Sequence, residues 1–262
     1  MRVIIQENYD KACKWTAEHI ADAINAHEEN RPFVLGLPTG SSPLGIYAEL
    51  IEMNKAGKIS FKNVITFNMD EYLGLSKEHE QSYCHYMWKN FFDHIDIPVE
   101  NVNIPNGIAE DPDAECVEYE KKIAACGGID LFLGGIGVDG HIAFNEPLSS
   151  LASRTRVISL AEDTIIANSR FFGDDLKEVP DKALTVGVGT ITDAREVILI
   201  VSGHSKARAL ARTIEGGLSQ MWPASALQAH PNALIACDEA ACGELKVNTF
   251  NYFLTAEKNE RL

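Results

Sequence analysis

The stretch "GGIGVDGHIAFNEP", Gly134 to Pro147, sets one histidine between two carboxylates: Asp139 lies two residues before His141, and Glu146 five residues after it. Histidine titrates near neutrality and can move protons. A carboxylate beside it fixes its tautomer and raises its proton affinity. Glycines 134, 135, 137 and 140 allow positive φ or a close approach of the backbone to a ligand. The ordinary alternative is a glycine turn whose histidine caps a helix. The spacing H-x-x-x-x-E is not H-E-x-x-H, so a metalloprotease helix is not indicated.

Two further segments carry chemistry. In "TFNMDEYLGL", residues 66–75, Asp70 and Glu71 follow an apolar run. They read as a carboxylate base, or else as an acidic turn or helix cap. In "LGLPTGSSPLGIY", residues 35–47, an apolar run ends at Pro38, and Thr39, Gly40, Ser41 and Ser42 precede a helix with Pro43 in its first turn. Unpaired N–H groups, glycine and hydroxyls at a helix start form a phosphate cradle. The segment lacks the G-K-[ST] ending of a Walker loop and is not G-x-G-x-x-G. If this loop holds phosphate, Arg170 in "NSRFF" and Lys206 in "GHSKARAL" are candidates to clamp it.

These residues need a scaffold, and the chain alternates strand and helix patterns. Buried strands are predicted at 2–5, 32–37, 63–69, 129–135, 195–203 and 232–238, and a weaker one at 182–189. Continuous apolar runs of this length suit strands covered on both faces. Helices are predicted from Ala12 to Ile24 and over about 43–57, 83–94 and 112–126, with a short extended piece near 102–104 between the last two. Alternation implies right-handed crossovers and a mostly parallel sheet with helices on both faces, in a single α/β domain over residues 1–262. The chemically rich segments fall at carboxyl ends of strands, where ligands of such sheets bind. The segment 145–182 is long and polar for a crossover and is expected to include a mobile lid.

Composition removes several function classes. The 262 residues are 45% hydrophobic, enough for a substantial core, and carry a formal net charge of −15. That balance opposes sequence-independent nucleic-acid binding and adsorption to an anionic membrane, but not a local pocket for a small anion. The N-terminus lacks a signal-peptide pattern and no apolar run is long enough to span a membrane. The six cysteines form no C-x-x-C pair, so reduced thiols in the cytoplasm are expected and a zinc site is not.

Together "LGLPTGSSP", "TFNMDEY", "GGIGVDGHIAFNEP", "SLASRTR", "NSRFF", "ALTVGVGT" and "ELKVNTFNYF" resemble the glucosamine-6-phosphate deaminases over essentially the whole chain. The resemblance implies a Rossmann-like open sheet without a dinucleotide. It also implies conversion of glucosamine 6-phosphate and water to fructose 6-phosphate and ammonia in amino-sugar catabolism, with no metal or organic cofactor. By the same resemblance, Asp70 is the base between C2 and C1, and Asp139, His141 and Glu146 form the ring-opening group. Gly40, Ser41, Ser42, Arg170 and Lys206 bind phosphate, and Thr39 contacts substrate. A homo-oligomer is expected, a hexamer in members activated by N-acetylglucosamine 6-phosphate. The activator site of such members resembles Ser149, Arg156 and Tyr252. Here, however, "SRTRVIS" places Ile158 and Ser159 where activated relatives have lysine and threonine, so weak activation is expected. The rivals are 6-phosphogluconolactonase, whose G-x-D-G-H segment continues T-A-S-L-F-P rather than I-A-F-N-E-P, and a non-catalytic sugar-phosphate sensor domain, which would lose the acids.

Overall fold

The computed structural model describes residues 1–28, 30–169, 172–173 and 175–262, and the backbone alone at 163, 164, 167 and 168. Strand β1 (Arg2–Gln6) leads into α1 (Tyr9–Asn25), β2 (Phe33–Leu37) and α2 (Leu44–Lys55). There follow β3 (Val64–Asn68), β4 (Asp70–Tyr72), α3 (Tyr83–Asn90), β5 (Val102–Asn103), α4 (Pro112–Ala125) and β6 (Leu131–Gly135). The chain continues through β7 (Arg156–Ser159), α5 (Glu162–Ser169), β8 (Lys182–Thr185) and α6 (Val188–Thr192). It closes with β9 (Glu196–Val201), α7 (Ala207–Glu215), β10 (Ala233–Asp238) and α8 (Val247–Ala256).

Seven strands form one sheet in the order β1-β10-β9-β6-β2-β3-β5, and every pairing in it is parallel. Both faces are covered. Val3 and Ile5 join one apolar cluster while Ile4 joins the other, and Phe132 and Leu131 divide in the same way. Alternation along each strand therefore feeds two cores, which is why these strands read as unbroken apolar runs. Helix starts follow local chemistry: Asn8 accepts the Lys11 N–H at 3.0 Å, and Asp111 accepts that of Ala114 just ahead of Pro112.

Beside the parallel sheet stands a feature that the sequence pattern did not predict: β4, β8 and β7 form a small antiparallel sheet. The weaker strand expected at 182–189 ends at Thr185 and belongs here, and Val188–Thr192 turns into α6 behind Gly187. The helix expected to reach residue 94 stops at Asn90, where Phe91 leaves helical geometry at φ −143° before a 3₁₀ turn. Strand β7 and helix α5 occupy the segment 145–182, and Arg170 lies outside the described residues.

The sheet order positions the site. From β2 the chain runs outward through β3 to β5; from β6 it runs the other way through β9 and β10. The order therefore reverses between β2 and β6, and a crevice opens beyond their carboxyl ends.

Candidate active site

That crevice is a cleft of about 520 Å³. It is lined by Thr39, Gly40 and Ser42 after β2, Asp70 after β3, Asp139 and His141 after β6, and Lys206 after β9. Four separate strand ends thus converge on one hollow.

The loop after β2 is held by three tyrosines. Tyr47 donates to the Pro38 carbonyl at 2.5 Å, Tyr86 to that of Gly40 at 2.6 Å, and Tyr9 to that of Ser42 at 3.0 Å. Tyr9 also accepts the Gly45 N–H at 2.9 Å. Gly40 has φ +93°, a conformation that glycine adopts without strain. Ser41 is exposed and does not line the cleft, whereas Gly40 and Ser42 do. Lys206 enters from the turn after β9, where Asp238 accepts the Gly203 N–H at 3.0 Å and the Ala241 N–H at 2.8 Å. Burial draws the Lys206 ammonium below its ordinary value, while the charge of Asp139 pulls the other way.

Asp70 is 6% exposed, and its Oδ1 has no hydrogen-bond partner among the described residues. Burial, with the charge of Glu71 behind it, pushes this carboxyl up to about 8. Neighbouring strand residues face opposite ways, and Glu71 is turned to the start of α3. There it accepts N–H bonds from Tyr72, Tyr83 and Cys84 at 2.8, 2.9 and 2.8 Å. Of the two readings open for this acidic pair, Asp70 fits the base and Glu71 the helix cap.

In the loop after β6, His141 Nδ1 stands 2.7 Å from Asp139 Oδ1, off the ring N–H axis, and the His141 backbone N–H reaches the same oxygen at 3.2 Å. Burial raises the Asp139 carboxyl, but the hydrogen bonds and charge of His141 outweigh it and hold it below its ordinary value. The glycines serve the protein's own side chains. A Cβ on Gly137 would lie 2.3 Å from the His141 ring, and one on Gly140, at φ +83°, 2.6 Å from Trp222. Ala143, a non-glycine residue at φ 51°, lines the cleft just beyond. Glu146 does not line the cleft; its carboxylate accepts the Ala161 N–H at 3.3 Å, ahead of α5.

Arg156 reaches Asn145 Oδ1 at 2.8 Å and Ser149 Oγ at 3.4 Å, which brings two of the three expected activator-site residues together. Tyr252 is on α8, lining a different hollow with Glu215 and Lys246. Ile158 packs with Tyr72, Phe144, Leu160 and Ala183 on the small sheet. The sequence reading missed Tyr9, Tyr47, Tyr83 and Tyr86. Tyr83 lines the cleft one helical turn before Tyr86, and nothing in their spacing points to the loop they face.

The family model described as glucosamine-6-phosphate isomerases/6-phosphogluconolactonase matches residues 6–236. A glucosamine-6-phosphate deaminase of Parabacteroides distasonis is 61% identical over 261 residues, covering 99% of this chain and 97% of that protein. One of Phocaeicola vulgatus is 62% identical over 260 residues, covering 98% and 99%. Among solved structures, a monomeric glucosamine-6-phosphate deaminase superposes with a TM-score of 0.88 at 42% identity, over 92% of this chain and 99% of that one. A 6-phosphogluconolactonase of Leishmania guyanensis shares the fold, with a TM-score of 0.72 at 22% identity, over 94% and 99%.

Proposed function

This chain belongs to the family of glucosamine-6-phosphate isomerases and 6-phosphogluconolactonases, and from that premise we propose how its cleft works as a glucosamine-6-phosphate deaminase. The reaction takes glucosamine 6-phosphate and water to fructose 6-phosphate and ammonia. The lactonases are related at the level of the fold. The observation that carries the mechanism is Asp70, a buried carboxylate whose Oδ1 has no hydrogen-bond partner among the described residues, in the same cleft as the His141–Asp139 pair.

The phosphate dianion sits against the loop before α2, where helix N–H groups and Ser42 meet Lys206, with Arg170 and Ser41 completing the set. Anchoring the remote phosphate turns binding energy into placement of C1 and C2. The pyranose hides its aldehyde, so the ring opens first. With Nδ1 toward Asp139, His141 is left with Nε2 to exchange the protons of the anomeric hydroxyl and the ring oxygen, and Asp139 orients it, while Glu146 ties the end of the same loop to the segment before α5. The off-axis His141–Asp139 contact is of the kind that tightens once substrate arrives. Asp70 then takes the C2 proton and returns it to C1. This leaves an imine at C2, to which water adds and from which ammonia departs. Two proton-transfer tasks at two points on the sugar match two differently tuned sites.

The test is ammonia release with fructose 6-phosphate measured in parallel, in the presence of EDTA, for wild type and Asp70→Asn. Equal yields in wild type, lost in the variant, establish reaction and base together. A folded, phosphate-binding wild type that makes neither product sinks the reading.

Activation by N-acetylglucosamine 6-phosphate is proposed to be weak. Ile158 offers that phosphate no cation, and a missing charge-assisted contact costs about 1.5–3 kcal/mol. Clear activation at sub-millimolar concentration overturns this. A cytoplasmic assembly of identical chains completes the proposal. Sedimentation tests the assembly: a single species at the mass of one chain overturns it.

A further inference from the structure

Glu71 has no step in the mechanism above, yet few carboxylates here are as tightly held. It is 2% exposed, and its two oxygens accept three backbone N–H groups. Two of them, from Tyr83 and Cys84, are the first donors of α3, and Ser82 takes the third, from His85, at 3.0 Å. Gly107 closes the space behind, where a Cβ would lie 3.2 Å from Glu71 Cγ and 2.3 Å from the Tyr72 carbonyl oxygen. Helix α3, begun in this way, delivers two tyrosines to the site. Tyr83 lines the cleft with Asp70, and Tyr86, one turn on, holds the Gly40 carbonyl.

We propose that Glu71 is a positioning residue joining the base to the phosphate loop: from the far face of β4 it anchors α3, and through α3 it sets Tyr83 beside Asp70 and Tyr86 against Gly40. The inference rests on reading Asp70 as the base. It has an electrostatic consequence, because Glu71 places a like charge behind Asp70. The other titratable groups facing Asp70 are Asp139, His141 and Lys206, which line the same cleft, and Tyr47 of α2, Tyr72 of β4, Tyr83 of α3 and Tyr119 of α4, hydroxyls that burial keeps protonated at neutral pH. Cys84 and the exposed Lys77–Glu78 pair share the hollow on the Glu71 side.

Glu71→Gln keeps the shape and removes the charge. It is expected to move the acid limb of the kcat/KM profile down by on the order of one pH unit. It should also raise KM by up to about tenfold as the Gly40 loop loosens. Glu71→Asp, which keeps the charge but shortens the arm, is expected to restore the limb and not KM. A limb that stays at its wild-type position in Glu71→Gln, with KM unchanged, overturns the proposal. If that variant does not fold, the coupling is read in wild type by carboxyl ¹³C titration: burial pushes Glu71 up to about 7 and Asp70 to about 8, so Asp70 should ionise second, against the Glu71 charge, and an Asp70 that ionises before Glu71 overturns the proposal. A shifted Asp70 midpoint in Glu71→Gln, with no matching change in the activity profile, leaves the coupling standing and removes Asp70 as the base.

Discussion

Asp70 is where stability and activity oppose each other. Unfolded, this carboxyl ionises near 3.8; folded, near 8. Between those values the folded state keeps a proton that the unfolded chain has lost, so its contribution to stability falls as pH rises through the window and is flat above it. Asp70→Asn carries no such penalty. Its melting temperature is expected to exceed that of wild type at about pH 9 by more than at about pH 5, and thermal scans at both values check this. Activity should run the other way. For wild type, kcat/KM should rise about tenfold per pH unit up to the region of pH 8, because the base must be ionised. A profile already flat at pH 6 contradicts that assignment. At Gly137 the constraint is steric. In Gly137→Ala the new methyl must displace the His141–Asp139 pair, and kcat is expected to drop by about a hundredfold. The same preparation should keep near-wild-type far-UV circular dichroism, which separates a local displacement from misfolding.

At the scale of elements, the site is a set of strand ends tied to helices by tyrosines and carboxylates. The loop after β2 has few contacts of its own and depends on Tyr9, Tyr47 and Tyr86 for its path. Tyr86→Phe removes one hydrogen bond and little volume, so KM is expected to rise by up to about tenfold with kcat near wild type. Steady-state kinetics at saturating substrate distinguish this from a fall in kcat, which would assign Tyr86 to the chemistry instead. The turn that carries Lys206 is built on the same plan, with Asp238 of β10 accepting the N–H of Gly203. In each case a buried polar group of one element fixes the loop of another.

At the scale of the molecule, Asn145 links the two sheets. Fully buried, it donates to the carbonyls of Ile142 and Val186 at 3.0 and 2.8 Å and accepts from Arg156 at 2.8 Å. Through it the histidine loop is fastened both to the segment after β8 and to β7. Asn145→Ala leaves two carbonyls and a guanidinium short of partners, and a loss of about 2–4 kcal/mol is expected in denaturant unfolding. A loss under half a kcal/mol would show that the two sheets do not depend on this residue.

The sequence alone determined the parallel core. Runs such as "PFVLGL" and "REVILIVSG" are apolar on both faces, and only strands covered by helices on both sides bury them. It also singled out Asp70, Asp139, His141 and the loop at Gly40, because dense polar residues at strand ends have few structural uses. It could not order the strands or foresee the antiparallel sheet of β4, β7 and β8, since pairing partners as distant as Asp70 and Thr185 leave no local mark. Nor could it separate the adjacent carboxylates. Asp70 and Glu71 differ in function because β4 turns one to the cleft and the other to the start of α3, and the side a residue faces is fixed by the tertiary pairing of its strand.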